Sequence, residues 1–409
     1  MSRIAIVGGG AAGFFAGITC AESAPRTEVV VLEKSAQFLS KVKISGGGRC
    51  NVTHACFDTR DFATRYPRGE RALLAPFKKF SAADTVAWFK ARGVELKTEA
   101  DGRMFPTTDS SGTIIDCLMR AANAAGVTLV ANRGVESAAK TAAGFGLNLS
   151  DGEKLDCDML LLATGGCRAA ASGQLAVALG HTLEPPVPSL FTFHIETAWL
   201  RGLAGVAINA EVSVPAMKLC ETGAVLITHW GLSGPAILRM SAWGARGLHR
   251  SDYRFPLHIN WLPMVTADQI AAEFDARRKK DPARRIVNTS FSPLPSRLWE
   301  QLVVAAGIAP DTRWSALSKS AQHQLVQQLI RTEFRVTGKS LNKDEFVTCG
   351  GVKLGEVDLK TMESRRCPGL FFAGELLDID GITGGFNFQA AWTTGWLAGT
   401  AMAGRSKTA

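Results

Sequence analysis

The first 33 residues hold the strongest chemical signal in the chain. Gly8-Gly9-Gly10-Ala11-Ala12-Gly13 follows a short apolar run, Arg3–Val7, and opens a segment of helical character, Ala11–Ser23. In such a strand–turn–helix, Gly8 permits the tight turn, Gly10 lets the backbone approach a pyrophosphate, and Gly13 lets helix and strand pack closely. Phosphates would then lie over the free N–H groups and positive dipole end of the helix. Glu33 ends a second apolar strand, Glu28–Glu33, twenty residues beyond Gly13. A carboxylate there accepts hydrogen bonds from a ribose diol and disfavours a 2′-phosphate. The spacing predicts a bound dinucleotide.

Three later segments turn that expectation toward FAD. Ser45-Gly46-Gly47-Gly48-Arg49-Cys50-Asn51 sets a run of backbone N–H groups beside a fixed cation, suited to a pyrophosphate or a flavin edge. Leu160–Gly166 is a buried strand ending in a glycine turn, with Ala163, Thr164 and Gly165 at the corner. Phe371–Glu375 followed by Asp380–Asn387 ends one strand and opens the last helix. Glu375 is placed to bind ribityl hydroxyls. The helix start near Gly385 is placed to stabilise negative charge at the N1/O2 edge of a reduced flavin.

Reactive side chains give weaker signals. Cys50 adjoins Arg49, which could lower its pKa, but it has no partner at redox spacing and reads as a buried packing thiol before a redox one. His229 is a candidate acid–base or substrate contact, or a structural histidine of a β domain. No metal-binding spacing of His or Cys occurs, so no metal is expected, and the absence of GxxxxGK[ST] and GxSxG counts against nucleotide hydrolysis and hydrolase chemistry.

The elements that must position these residues alternate strand and helix through the first third, implying a parallel sheet covered by helices. Ser81–Arg92, with Ser81 and Asp84 as a capping box, and Thr113–Ala125 read as helices, Gly144–Leu149 with Leu155–Cys157 as a hairpin, and Met159–Ala163 as a central strand. Three prolines within Glu184–Pro188 break helix and mark a change of character. Strands at Val206–Val214, Ala224–Thr228 and His258–Trp261 suggest a small β domain. Helices follow: one capped by Thr266 and Gln269, one at Leu298–Ala306, and one at Ser318–Phe334. From Phe346 the strand–turn–helix pattern returns.

Composition sets the outer bounds. The 409 residues are 46% hydrophobic and 20% charged, an ordinary globular balance that excludes disorder and coiled coil. The 41 glycines exceed the roughly 7% norm. Lys+Arg number 46 against 37 Asp+Glu, a net +9 that leaves an anionic ligand, nucleic acid or anionic surface open. Nine cysteines without a disulfide pattern suit a reducing, cytoplasmic compartment. The uncharged stretch Gly381–Gly404 carries six glycines and several polar residues, so a buried helix is expected rather than a membrane span.

Taken together, Gly8–Gly13, Lys43–Asn51 (KISGGGRCN), Ala163–Gly166, Thr228–Ala236 (THWGLSGPA), Thr348–Arg365 and Ala373–Gly395 resemble the aminoacetone oxidase-like (BaiN/RdsA, YhiN) group of bacterial NAD(P)/FAD-dependent oxidoreductases. The resemblance runs from Ile4 to about Gly399. It implies an α/β fold: a Rossmann-like FAD-binding domain of glutathione-reductase-like topology, interrupted by a small β-barrel and a helical insert. The boundaries expected are 1–187 with 346–409 for the FAD domain, 188–262 with 335–345 for the barrel, and 263–334 for the insert. It implies FAD contacts by Gly8, Gly10, Gly13, Glu33, Lys34, Gly47, Arg49, Val135, Thr164, Gly165, Gly374, Glu375, Gly385, Phe386 and Asn387. Ala12, Lys43, Cys50, Asn51, Ala163, Asp380 and Gly384, within or beside the same motifs, complete the cofactor-binding set. One departure stands out. Where the group carries a stretch of the form SYPxTGSTGDG, this chain has Cys167–Gln174, lacking the tyrosine and aspartate. If that loop borders the flavin, the substrate pocket differs from the group's usual one, and the aminoacetone substrate is not carried over.

The expectation is an FAD-dependent oxidoreductase acting on a small organic substrate, with O2 or transient NAD(P)H as redox partner. A single complete dinucleotide fingerprint argues against a separate NAD(P)H domain. The alternative is a non-catalytic or nucleic-acid-associated flavin-binding protein, prompted by the net charge and the Arg277–Arg285 cluster. No RRM, KH or zinc-finger signature supports it, and nucleic acid is disfavoured.

Overall fold

The computed structural model describes residues 2–167, 170–340 and 347–407. The chain forms two compact units, Met1–Ser189 with Asn342–Ala409, and Leu190–Leu341.

The first unit is built on a seven-stranded sheet. Its order is Val357–Asp358, Glu363–Ser364, Leu370–Phe372, Met159–Leu162, Arg3–Val7, Glu28–Leu32, Thr128–Val130. The last five are parallel neighbours, with Ile4 opposite both Met159 and Val29. Met159–Leu162 is buried at every position, and Arg3–Val7 and Glu28–Leu32 at all but the first. Continuous apolar runs of this kind belong to strands covered on both faces. The expected hairpin forms two strands of a three-stranded meander, Val135–Lys140, Phe145–Leu149 and Lys154–Cys157.

The helix Ala11–Ser23 is buried from Ala12 through Ala21, as an all-round apolar helix must be. It packs along the final helix, Phe386–Ser406. A Cβ on Gly395 would lie 2.5 Å from the Ala12 carbonyl oxygen, and one on Gly399 2.5 Å from that of Ala16. The two helices touch backbone to backbone, which only glycine allows. The polar residues of the final helix are satisfied inside the core. Gln389 Oε1 accepts from the hydroxyls of Thr53 (2.7 Å) and Thr85 (2.9 Å), Thr393 donates to the Phe80 carbonyl, and Trp392 Nε1 donates to the Val52 carbonyl. Among the described residues no helix is long and apolar enough to cross a membrane.

The second unit is a closed six-stranded barrel in the order Phe193–Ile195, Gly231–Ser233, Leu219–Thr228, Ala207–Val214, Phe255–Asn260, Thr332–Lys339. Ala207–Val214 pairs in unbroken register with Leu219–Thr228, buried on alternate residues. Between its last two strands run the helices Ala267–Lys280, Ser296–Ala305 and Lys319–Ile330. Phe274 packs against Trp299 and Trp314, with centroids at 6.2 and 5.4 Å. The Thr266–Gln269 capping box forms as the sequence predicts, as does that of Ser81 and Asp84.

Two expectations need correction. The third insert helix ends at Ile330, not Phe334. From Thr332 the chain is a barrel strand whose buried residues Thr332, Phe334 and Val336 alternate with exposed ones, and Trp261 Nε1 donates to Thr332 Oγ1 at 2.7 Å. Tertiary pairing overrides the helical pattern there. The proline-rich run is not merely a break: Leu183–Ser189 is a strand paired with Val347–Val352 in a two-stranded sheet among the described residues, with a bulge between Glu184 and Val187 that accommodates the missing donors.

The edge of the large sheet is fastened by a buried histidine. His181 Nδ1 lies 3.0 Å from Glu356 Oε2, and its Nε2 2.8 Å from Ser364 Oγ. Burial pulls the imidazole below its ordinary pKa, against the raising influence of Glu356. The unfolded chain therefore binds the proton more readily, so this group's stabilisation is complete above about pH 6.5 and falls as pH drops through that value. In urea unfolding between pH 7.5 and 5.5, the wild-type midpoint should fall more steeply with acidification than that of His181→Gln. Parallel profiles would refute the assignment.

Candidate functional site

The sequence-predicted residues of the first unit gather at the carboxyl ends of its parallel strands, where loops of an open α/β sheet bind ligands. Gly8 leaves the first strand with its N–H donated to the Leu32 carbonyl at 2.9 Å. A Cβ there would strike the Ala163 carbonyl at 2.3 Å, and one on Gly13 would lie 2.0 Å from the Gly8 carbonyl. This turn is closed to any side chain. Gly10 differs: it caps Ala11–Ser23 with extended backbone, and no protein atom lies within 4 Å of where a Cβ would sit. The first N–H groups of the helix, at Ala11, Ala12 and Gly13, have no partner within the helix.

Glu33 ties the end of its strand to this turn. Its Oε2 accepts from Gly9 N at 2.9 Å, and Oε1 accepts from the N–H and hydroxyl of Ser35. The carboxylate stays part-exposed, with lone pairs left for a diol. Lys34 is exposed on the same corner, its Cβ 3.2 Å from the position a Cβ on Gly134 would take, beside Val135 at the start of the meander. Across the sheet, Ala163 N donates to the Val7 carbonyl, and Gly165 again has nothing within 4 Å of a would-be Cβ.

The final helix starts at Gly385. A Cβ on Gly385 would collide with the Thr53 carbonyl at 2.4 Å, so the helix start is pressed onto the segment after the Gly46–Gly48 loop. The Asn51 amide, oriented by its partners, accepts from Gly385 N at 2.9 Å and donates to the Thr53 carbonyl at 3.0 Å. Asn387 closes the loop from the other side, its amide accepting from Gly381 N and donating to the Gly381 carbonyl, both at 2.9 Å. Gly384 and Phe386 complete this corner, with Phe386 stacked on His54 at 4.9 Å. Gly374 N donates to Thr394 Oγ1. Glu375 accepts from Thr348 N at 2.8 Å and pairs with Lys41 at 2.6 Å.

Several predicted residues act differently from expectation. Arg49 is committed to protein: its guanidinium lies 2.6 Å from Glu99 and 3.4 Å from Asp109, 4.0 Å over the Phe105 ring. Cys50 is fully buried and burial pushes its thiol up to about 12, which removes it as a nucleophile or redox thiol at neutral pH. Lys43 is exposed, and its carbonyl accepts from Ser111 Oγ at 2.8 Å. Asp380 is wholly inaccessible, held by Arg68 and by Ser189 Oγ at 2.8 Å; burial pushes its carboxyl above the usual range against the pull of Arg68. It fixes the loop from within. His229 belongs to the second unit, exposed beside Trp230. Of the divergent Cys167–Gln174 stretch, residues 168–169 lie outside the described residues.

The clasp on the final loop carried no sequence signal. Tyr66 donates to the Phe386 carbonyl at 2.6 Å, Ile382 N to the Arg65 carbonyl at 2.9 Å, and Arg68 bridges to Asp380. His54 also escaped: burial lowers its pKa, Nε2 donates to the Asp101 carbonyl at 3.1 Å, and the buried Nδ1 has no hydrogen-bond partner among the described residues.

These residues fit a flavin dinucleotide. Open space lies over Gly10, Gly47, Gly48 and Gly165, two helix N-termini carry no side-chain cap among the described residues, and Glu33 presents an acceptor where a ribose would lie.

The HI0933-like protein Rossmann domain matches residues 2–401. The chain belongs to the HI0933-like family. Its relatives within the family include a 3-dehydro-bile acid delta(4,6)-reductase of Clostridium scindens, 31% identical over 99% of this chain and 100% of that protein. A ribosomal RNA dihydrouridine synthase of Escherichia coli is 32% identical over 96% of this chain and 95% of its own length. A solved 3-ketosteroid delta1-dehydrogenase from Sterolibacterium denitrificans shares the fold at TM-score 0.55 and 12% identity, covering 99% of this chain and 100% of that one. This HI0933-like chain is an FAD-dependent oxidoreductase with a Rossmann cofactor domain.

The Arg68–Asp380 pair gives a direct test of the clasp. Arg68→Met strands a buried carboxylate and should cost about 3–5 kcal/mol in chemical unfolding, whereas Arg68→Met with Asp380→Leu should recover most of that loss. Equal destabilisation of single and double variants would show that the pair does not act as a unit. Cys50→Ser should leave FAD retention unchanged after gel filtration.

Proposed function

We propose that this enzyme reduces a carbon–carbon double bond conjugated to a carbonyl, drawing electrons from transiently bound NAD(P)H. The observation that carries this reading is chemical. Two relatives that match along nearly their whole length are named for adding hydrogen to an unsaturated 3-oxo steroid acid and to the uracil ring of uridine. Both acceptors are carbon–carbon double bonds polarised by a carbonyl.

Bound FAD supplies hydride chemistry at its flavin ring. The chain's own part is placement and charge. Glu33 and the start of Ala11–Ser23 would hold the adenosine and pyrophosphate, and the Gly46–Gly48 and Gly165 corners would admit the flavin's backbone-facing edge. The N–H groups of Phe386, Asn387 and Phe388 would stabilise negative charge beside the ring. Tyr66, Asn51, Asn387 and Arg68 keep that helix start in place. The enzyme works in the cytoplasm under this reading, its barrel and helical segment forming two further domains within the cofactor domain.

A second reading makes the acceptor a pyrimidine base within RNA. It is favoured by the uneven charge of the chain: residues 190–341 carry 18 Lys+Arg against 11 Asp+Glu, a surplus of seven out of the nine overall.

Anaerobic reduction with NADH or NADPH should bleach the flavin bands, and a simple cyclic enone should restore them while gaining two hydrogen atoms. Restoration by oxygen alone, with no reduced product by mass spectrometry, would overturn the reductase reading.

A further inference from the structure

We infer that the barrel unit carries a nucleobase-stacking subsite centred on Trp230, through which this protein holds single-stranded RNA. The inference rests on the RNA reading above and gives that substrate a specific surface.

Trp230 occupies the tip of the turn between the strands Leu219–Thr228 and Gly231–Ser233, and the residue is 65% exposed. The backbone beneath it is fixed. The Trp230 carbonyl accepts from Ile195 N at 2.9 Å, Trp230 N donates to Thr228 Oγ1 at 3.4 Å, and Thr228 Oγ1 donates to the Gly231 carbonyl at 3.2 Å.

The indole borders a cavity of about 420 Å³ lined by His194, Ile195, Arg201, His229 and Trp230. This volume lies within the range of sites for small ligands. The His229 ring stands 6.5 Å from that of Trp230 at 69°, giving an edge with a hydrogen-bonding nitrogen beside a stacking face. Arg201 supplies a cation at the same cavity, and exposed Arg297 donates to the Gly202 carbonyl one residue on. Glu196 Oε1 lies 3.9 Å from His194 Nδ1. A π-face, imidazole nitrogens and guanidinium groups close together are the parts that hold a base and its phosphate.

Charge selects RNA over an apolar protein partner. The unit bearing Trp230 holds seven of the chain's nine surplus positive charges, along with five of its seven histidines. Exposed Lys279, Lys280, Arg284, Arg285 and Arg313 extend that surplus along its helical segment, Arg285 and Arg313 being paired across an isolated bridge.

The test uses FAD-loaded full-length protein and a fluorescently labelled single-stranded RNA of roughly 12 nucleotides, within the site sizes of such surfaces. Fluorescence anisotropy at low salt should give saturable binding, weakened about tenfold by Trp230→Ala. Arg201→Gln should weaken it and reduce the salt slope by about one. Both variants should retain wild-type flavin content and wild-type turnover of a small cyclic enone. Undiminished binding by Trp230→Ala, no binding by the wild type, or loss confined to an apolar peptide probe would overturn the subsite. The enone assay on the same preparations reports separately on the reductase reading, so either can fail alone.

Discussion

Everything at the cofactor end depends on one close contact: the backbone of Ala11–Ser23 against that of Phe386–Ser406. Gly395 and Gly399 lie on the Ala12 and Ala16 carbonyls, and Gly13 lies on Gly8. A methyl group at any of these positions would force the elements apart. Through this stack the first and last helices become neighbours, although about 370 residues separate their glycine turns. Their N-termini can then serve one ligand from two sides. The excess of glycine in the composition finds its physical use here and in the open corners over Gly10, Gly47 and Gly165.

The final helix is set by polar as well as apolar contacts. Gln389, Thr393 and Trp392 bind it to Thr53, Thr85, Phe80 and Val52, and Asn51 holds its first turn. Buried polar groups left unpaired are costly, so a network satisfied at each of these points fixes the register of the helix more narrowly than apolar packing alone. That register decides where its N–H groups point.

Much of this was legible in the sequence, and the exceptions have physical causes. Glycine spacing announced Gly8–Gly13 because three separate steric demands fall at fixed intervals along a strand–turn–helix. The capping boxes at Ser81 and Thr266 were readable because both partners lie within one turn. What escaped was non-local. Nothing near Arg68 signals Asp380, more than 300 residues away, and nothing near Arg49 signals that Glu99 and Asp109 would take its guanidinium. Residues 331–334 read as helix because their neighbours do, until pairing with Phe255–Asn260 is known. Net charge became informative only after division between the two units, which moved most of the surplus onto the barrel and helical segment.

The central claim is that the first unit grips both halves of one dinucleotide, the adenosine end through Glu33 and Ala11–Ser23 and the flavin end through the final helix. Removing the cofactor and titrating the apoprotein with FAD and with FMN, followed by flavin fluorescence, measures the adenosine half directly. Several charge-assisted hydrogen bonds to pyrophosphate and ribose should make FAD at least about a hundredfold tighter than FMN. Equal affinities would contradict the account.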